Sequence, residues 1–142
     1  MIDRRKGNMT PFDYLAIIAL AFGALYGLAC LASPQFAATS VRLQADPDRP
    51  GGFAEFRATF GGTLAGLHLT AIAIALLAAG PIAVAATTIM AAGWFGAAIG
   101  RSAALFLDTD HAVNPSLNWK LVALEVIVGL ALIIPLVHSQ TR

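Results

Sequence analysis

Five ionisable residues in mostly apolar surroundings are the strongest candidates for chemistry in this sequence. An ionisable side chain inside a membrane-length apolar segment is costly, so it usually faces a partner, a water-filled cavity or a bundle interior. Both signs of charge occur in the set, which allows an ion-pair network as well as a polar binding cavity. We call these residues the polar cluster: Glu55, Arg57, Arg101, Asp108 and Glu125.

His68 also falls within an apolar run. We expect it to hydrogen-bond a neighbouring hydroxyl or carbonyl group, because a zinc site needs further nitrogen or sulfur ligands. His111 and His138 are expected near opposite membrane surfaces, too far away to supply them. Cys30 is the only cysteine, so an intramolecular disulfide is excluded. The sequence predicts no metal site and no cofactor.

The composition indicates which elements position these residues. Of 142 residues, 58% are hydrophobic and only 12% are charged, and the mean hydropathy is +0.74. A soluble fold of this size needs a charged surface that this composition cannot supply. A net charge of +1 creates no field that would attract nucleic acid. Disordered chains, disulfide scaffolds and nucleic-acid-binding domains are excluded, which leaves a polytopic membrane protein.

Four apolar runs are long enough to cross a bilayer, which takes about 20 residues of helix. Ser33-Pro34 ends the first run, and a short interfacial helix is expected near residues 36–43. Gly80-Pro81 joins the second and third runs with almost no loop, since proline is tolerated at the start of a helix. The sequence predicts an all-α integral membrane four-helix bundle. It forms a single domain over residues 1–142, with spans at 13–32, 54–79, 81–107 and 118–137.

Positive charges decide the orientation. Four spans place both termini on one side of the membrane, and the basic residues of the two sides nearly balance. The cluster directly before the first span usually dominates, so we expect both termini in the cytoplasm. The basic residues on the terminal side are Arg4, Arg5, Lys6 and Arg142, and those on the other side are Arg42, Arg49, Arg57 and Lys120.

This topology places the polar cluster in the outer half of the bundle. Arg101 and Asp108 are seven residues apart and share a helix face.

Three interpretations of the polar cluster stay open. Arg101 pairs with Glu125 or Glu55 in a structural network, Arg57 and Arg101 reach the lipid headgroups, or the cluster lines a cavity for a small molecule, a headgroup or a proton.

Glycine pairs spaced four residues apart occur in three of the four spans. Such pairs let helix backbones approach closely. They predict a tight bundle and leave open an interface between two copies of the chain. The pairs are Gly23 and Gly27, Gly62 and Gly66, and Gly96 and Gly100.

Several of these motifs resemble a bacterial family of small four-helix membrane proteins of unknown function, akin to the DoxX-like proteins. The resemblance covers roughly residues 54–131 and includes Glu-Phe-Arg-Ala-Thr-Phe-Gly-Gly at 55–62 and Gly-Ala-Ala-Ile-Gly-Arg-Ser at 96–102, then Asp108 and Glu125. The sequence departs from the family at Phe60, where tyrosine is common, and at Thr109, where glycine is common. Phe60 lacks a hydroxyl that could have bonded to the polar cluster.

The resemblance implies a protein of the bacterial inner membrane and no established reaction. DoxX-like relatives are linked to quinone, thiol or redox processes, which is an analogy only. No phosphate-binding loop, nucleophile elbow or cysteine pair is present, so the sequence leaves open whether the protein is an enzyme.

The expected role is a binding or accessory protein, with Arg101 as the central cation and Glu125 and Glu55 as its counter-ions. The alternatives are a small proton-coupled transporter that uses Glu125 and a membrane enzyme acting on a lipid or quinone. The expected partners are the lipid bilayer, a second copy of the chain, and a lipid or quinone ligand, but not nucleic acid.

Overall fold

The computed structural model describes residues 9–49, 51–78, 80–108 and 114–140. Within these ranges, all regular secondary structure is helical, which confirms the all-α fold class. The helices are α1 (Pro11–Ala32), α2 (Pro34–Val41), α3 (Gly52–Leu77), α4 (Pro81–Leu107) and α5 (Pro115–Gln140).

Four helices, α1, α3, α4 and α5, are long and apolar enough to cross a membrane. Large apolar side chains on them are exposed, with 71% of Ile89 and 69% of Ile99 accessible. Soluble monomers rarely expose contiguous apolar surface of this kind, whereas a helix in lipid does so throughout. The chain is a multi-pass membrane protein.

Helix capping explains why two of the helices begin earlier than predicted. The span predicted from residue 118 begins at Pro115, because Asn114 caps the helix and accepts the Leu117 amide at 3.1 Å. The short helix expected near residues 36–43 is α2. It begins earlier because the Ser33 hydroxyl accepts the Phe36 amide at 3.2 Å.

Two compact units divide the chain. Residues 20–73 hold most of α1, all of α2 and most of α3. Residues 1–19 and 74–142 hold the beginning of α1, the end of α3, and helices α4 and α5.

Within residues 20–73, the backbones of α1 and α3 approach each other at glycines. A Cβ atom at Gly27 would lie 2.4 Å from the backbone nitrogen of Ala65, and one at Gly61 would lie 2.7 Å from the backbone of Leu31. Side chains do not tolerate such distances, so only glycine fits. Gly27 was expected to allow a close approach, while Gly61 was not among the predicted packing residues.

A π-helical segment, Arg57–Thr63, interrupts the α-helical geometry of α3. The Thr63 hydroxyl donates to the carbonyl oxygen of Ala58, five residues earlier, at 3.0 Å. π-Helical turns are rare and occur often at functional sites. No pattern in the sequence predicts this segment.

Helices α4 and α5 pack against each other within the second unit. The ring of Phe95 covers Gly129, where an added Cβ atom would lie 2.7 Å from the ring. The buried face of α5 follows the helical repeat and consists of Asn118, Glu125, Val128, Gly129, Leu132 and Pro135.

The other two predicted glycine pairs have open surroundings among the described residues. A Cβ atom at Gly62 would meet only the Arg57 carbonyl oxygen of its own helix, at 3.6 Å. At Gly66, Gly96 and Gly100, an added Cβ atom would meet no described atom within 4 Å. Packing within the described chain therefore does not require these glycines, and an interface between two copies stays a prediction.

The Phe95 contact predicts that Gly129→Ala destabilises the protein. Overpacking a close contact costs about 1–3 kcal/mol, so the melting temperature in detergent should fall by several degrees. Gly96→Ala is the matched control, because its added methyl group enters open space and alanine favours helix by about 1 kcal/mol. Circular dichroism during heating measures both. Equal melting temperatures for the two variants would contradict the packing described here.

Candidate functional site

An ion pair between α4 and α5 forms the centre of the polar cluster. The Nε atom of Arg101 donates to Oε1 of Glu125 at 2.6 Å. The Glu125 side chain is only 7% exposed, whereas that of Arg101 is 35% exposed. The carboxylate is therefore buried while the guanidinium reaches the surface of the chain.

The direction of helical side chains brings these two groups together. In a helix, the Cα–Cβ bond tilts toward the N-terminus. Arg101 lies about 9 Å before the end of α4 and Glu125 about 15 Å after the start of α5, at 1.5 Å per residue. Arg101 leans away from the connection between the helices and Glu125 leans toward it, so the charged groups meet at one depth.

The ion pair uses only part of the hydrogen-bonding capacity of either group. A guanidinium carries five N–H donors in a planar fork, and a carboxylate carries two acceptor oxygens. Oε2 of Glu125 is buried and has no hydrogen-bond partner among the described residues. Over the same ranges, the terminal nitrogens of Arg101 donate to no protein atom. A ligand with complementary groups could bond to both, and Oε2 could also hold a proton.

Arg57 caps helix α1. Its Nη1 atom donates to the carbonyl oxygen of Leu31 and, at 3.4 Å, to that of Ala32. The last carbonyl groups of a helix lack partners within the helix and carry the negative end of its dipole. The guanidinium therefore binds backbone oxygens of α1, an arrangement that none of the three sequence interpretations included.

Glu55 and Asp108 occupy the ends of helices. Glu55 is exposed in the first turn of α3, where the helix dipole favours an acidic residue. Asp108 is exposed directly after α4, and its backbone amide donates to the Ala104 carbonyl at 3.1 Å. Neither carboxylate forms an ion pair within the part of the chain that the structure describes. Of the polar cluster, the structure thus joins Arg101 to Glu125.

His68 is buried within the unit of residues 20–73. Its Nδ1 atom lies 2.8 Å from the Leu64 carbonyl oxygen, in line with the expected bond to a carbonyl. Its ring also fills the space at Gly23, where an added Cβ atom would lie 2.1 Å from Nε2. In the described ranges, no group of three His, Cys, Asp or Glu residues could hold a metal ion, and His111 lies outside those ranges.

The sequence analysis did not identify the buried polar residues Thr87 and Asn118 or a half-buried pair of hydroxyl groups. Asn118 is buried seven residues before Glu125, on the same face of α5, and this spacing could have identified it. The hydroxyl groups of Tyr26 and Ser40 lie 2.6 Å apart beside the fully buried Cys30. No sequence spacing identifies this second group, because its residues come from two different helices.

Comparisons with family models, with curated proteins and with solved structures found no match to this chain. The family resemblance of residues 54–131 therefore stays a prediction. The geometry of Arg101 and Glu125 carries the functional proposal.

The buried ion pair predicts energetic coupling between its partners. Arg101→Gln leaves an unpaired buried carboxylate and should lower the stability in detergent, and adding Glu125→Gln should recover part of the loss. We expect a coupling of about 1–2 kcal/mol, because Arg101 is partly exposed. The exposed pair of Asp46 and Arg49, at 3.6 Å, is the control and should show little coupling. Additive effects of Arg101→Gln and Glu125→Gln would show that the two groups do not interact.

Proposed function

We propose that this protein is a small binding or accessory protein of the bacterial inner membrane that holds a polar ligand at Arg101 and Glu125. One observation carries the proposal, namely that the ion pair leaves hydrogen-bonding atoms of both partners unbonded. Oε2 of Glu125 is buried without a partner, and Arg101 is 35% exposed with unbonded terminal nitrogens among the described residues. A buried unpaired acceptor costs about 1–3 kcal/mol, a cost that a ligand could remove.

The unused atoms define the chemistry of this ligand. The terminal nitrogens of Arg101 need an acceptor oxygen, and Oε2 of Glu125 needs a donor. Because the two protein charges cancel, a neutral or zwitterionic ligand fits better than one with a net charge. A lipid headgroup or a quinone in its hydroxyl-bearing form meets these requirements, and both are found within a membrane.

An ion pair with a purely structural role is expected to form more hydrogen bonds than this one does. Arginine and a carboxylate form their strongest contact as two parallel hydrogen bonds, which occupy both carboxylate oxygens. The single bond from Nε to Oε1 leaves the other oxygen unused. This supports a role in binding in addition to the pairing of α4 with α5.

Proton-coupled transport by Glu125 is the second candidate. The observation in its favour is again the buried Oε2 atom, because an intramembrane carboxylate of this kind can take up and release a proton. The predicted orientation, with both termini in the cytoplasm, would open the site toward the outer side. A membrane enzyme gains no separate support from this pair.

Arg101→Lys tests the binding proposal. Lysine keeps a positive charge for Glu125 but lacks the fork that gives arginine its further donors. Losing one charged hydrogen bond weakens binding by about tenfold to hundredfold. Native mass spectrometry of the full chain in detergent, titrated with ubiquinol or phospholipid, measures the affinity. Lys120→Gln, which removes an exposed cation of α5, is the control and should bind as wild type does.

Two results would contradict the binding proposal. One is equal affinity of wild type and Arg101→Lys for every probe, and the other is a wild type that binds none of them. Proton flux into proteoliposomes, measured with a pH-sensitive dye, separates the second candidate. Flux that Glu125→Gln abolishes would favour transport over binding alone.

A further inference from the structure

A groove lies between the connection from α2 to α3 and the first turns of α3, within the unit of residues 20–73. Its volume is about 510 Å³, within the range of about 300–1,000 Å³ typical of small-ligand sites. Its lining includes Leu43, Ala45, Asp46, Arg49, Glu55 and Phe60. None of the residues in the Arg101–Glu125 pair takes part, so the groove is a separate feature.

The floor of the groove is apolar and belongs to the core. Phe56 lines it and is buried in a cluster with Cys30 and Ala37, against which Ala45 and Phe60 also pack. The ring centroids of Phe56 and Phe60 are 6.0 Å apart. The floor is therefore held in place by core packing. Its aromatic rings can pack against the methylene groups of a ligand or lie beneath its ammonium group.

The rim of the groove carries charges of both signs. Arg49 approaches Asp46 at 3.6 Å through Nε, and its side chain is 88% exposed. Glu55 forms no ion pair among the described residues. Arg57, the next cation along α3, is directed to the carbonyl groups of α1 and does not neutralise Glu55. The rim thus carries two carboxylates and one guanidinium. Asp46 is paired with Arg49 through Nε, which leaves the Glu55 carboxylate uncompensated and the rest of the Arg49 guanidinium accessible.

We propose that this groove binds the zwitterionic headgroup of a phospholipid. The ammonium group bonds to Glu55, the phosphate bonds to Arg49, and the methylene groups between them cover the apolar floor. Opposite charges on one rim complement opposite charges on one ligand.

The position of the groove supports this occupant. It opens at the first turns of α3, a helix that can cross the membrane, and the ends of such helices lie among lipid headgroups. Exposed Leu43 in its lining and exposed Phe53 beside it can contact the acyl chains. A soluble zwitterion would gain nothing from these two side chains.

Lipid titration of the full chain in detergent, followed by native mass spectrometry, tests this inference. Phosphatidylethanolamine and phosphatidylglycerol with identical acyl chains share the phosphate but differ in the ammonium group. Because charge-assisted hydrogen bonds are about twice as strong as neutral ones, we expect wild type to prefer phosphatidylethanolamine by about fivefold. In a chain that also carries Arg101→Lys, so that the proposed site at Glu125 contributes little, Glu55→Gln should remove this preference, and Arg49→Gln should weaken the binding of both lipids.

Asp48→Asn is the matched control, since Asp48 is an exposed carboxylate in the same connection and does not line the groove. It should keep the wild-type preference. Melting curves establish that the variants are folded, as expected for substitutions of exposed residues. Equal affinity of wild type for the two lipids, or a preference that survives Glu55→Gln in the chain that carries Arg101→Lys, would overturn the proposal. Competition by soluble phosphoethanolamine at the concentration of the lipid would also overturn it, because the acyl chains would then be irrelevant.

Discussion

A carboxylate in an apolar interior needs a countercharge, and the bond from Arg101 to Glu125 meets this requirement between α4 and α5. It also fixes the two helices in register. With Arg101 beside Glu125, the ring of Phe95 lies over Gly129, the one position on that face of α5 without a side chain. A shift of one residue would separate the charges and remove the space for the ring. Charge and packing therefore select the same alignment.

In residues 20–73, close contact between two helix backbones fixes how α1 and α3 pack. Gly27 and Gly61 allow α1 and α3 to approach within distances that no side chain permits. Arg57 binds the last carbonyl groups of α1 and so satisfies acceptors that would otherwise lack partners at the end of a spanning helix. Arg57 and Gly61 both lie in the π-helical segment of α3. This local change in helix geometry thus coincides with the residues that join the two helices.

Hydropathy sufficed to predict the long helices, because lipid selects for uninterrupted apolar runs. Their ends depended on individual caps such as Asn114. The sequence predicts two possible carboxylate partners for Arg101. The topology gives the depth of each residue in the membrane, but not the rotation of each helix about its own axis. The partner of Arg57 could not be predicted, since its acceptors are backbone carbonyls more than twenty residues earlier. The glycine pairs indicate where backbones could approach, but open surroundings at Gly96 and Gly100 show that spacing alone does not define a partner.

We propose above all that Glu125 and Arg101 keep hydrogen-bonding capacity for a group from outside the chain. A crystal structure of the protein, extracted with its own lipids and grown in a lipid phase, tests it most directly. We predict a non-protein group within about 3 Å of Oε2 of Glu125 or of a terminal nitrogen of Arg101, the distance of a hydrogen bond. If Oε2 instead accepts a hydrogen bond from another side chain of the protein, and the guanidinium is fully bonded to protein atoms, the pair is structural and the claim is wrong.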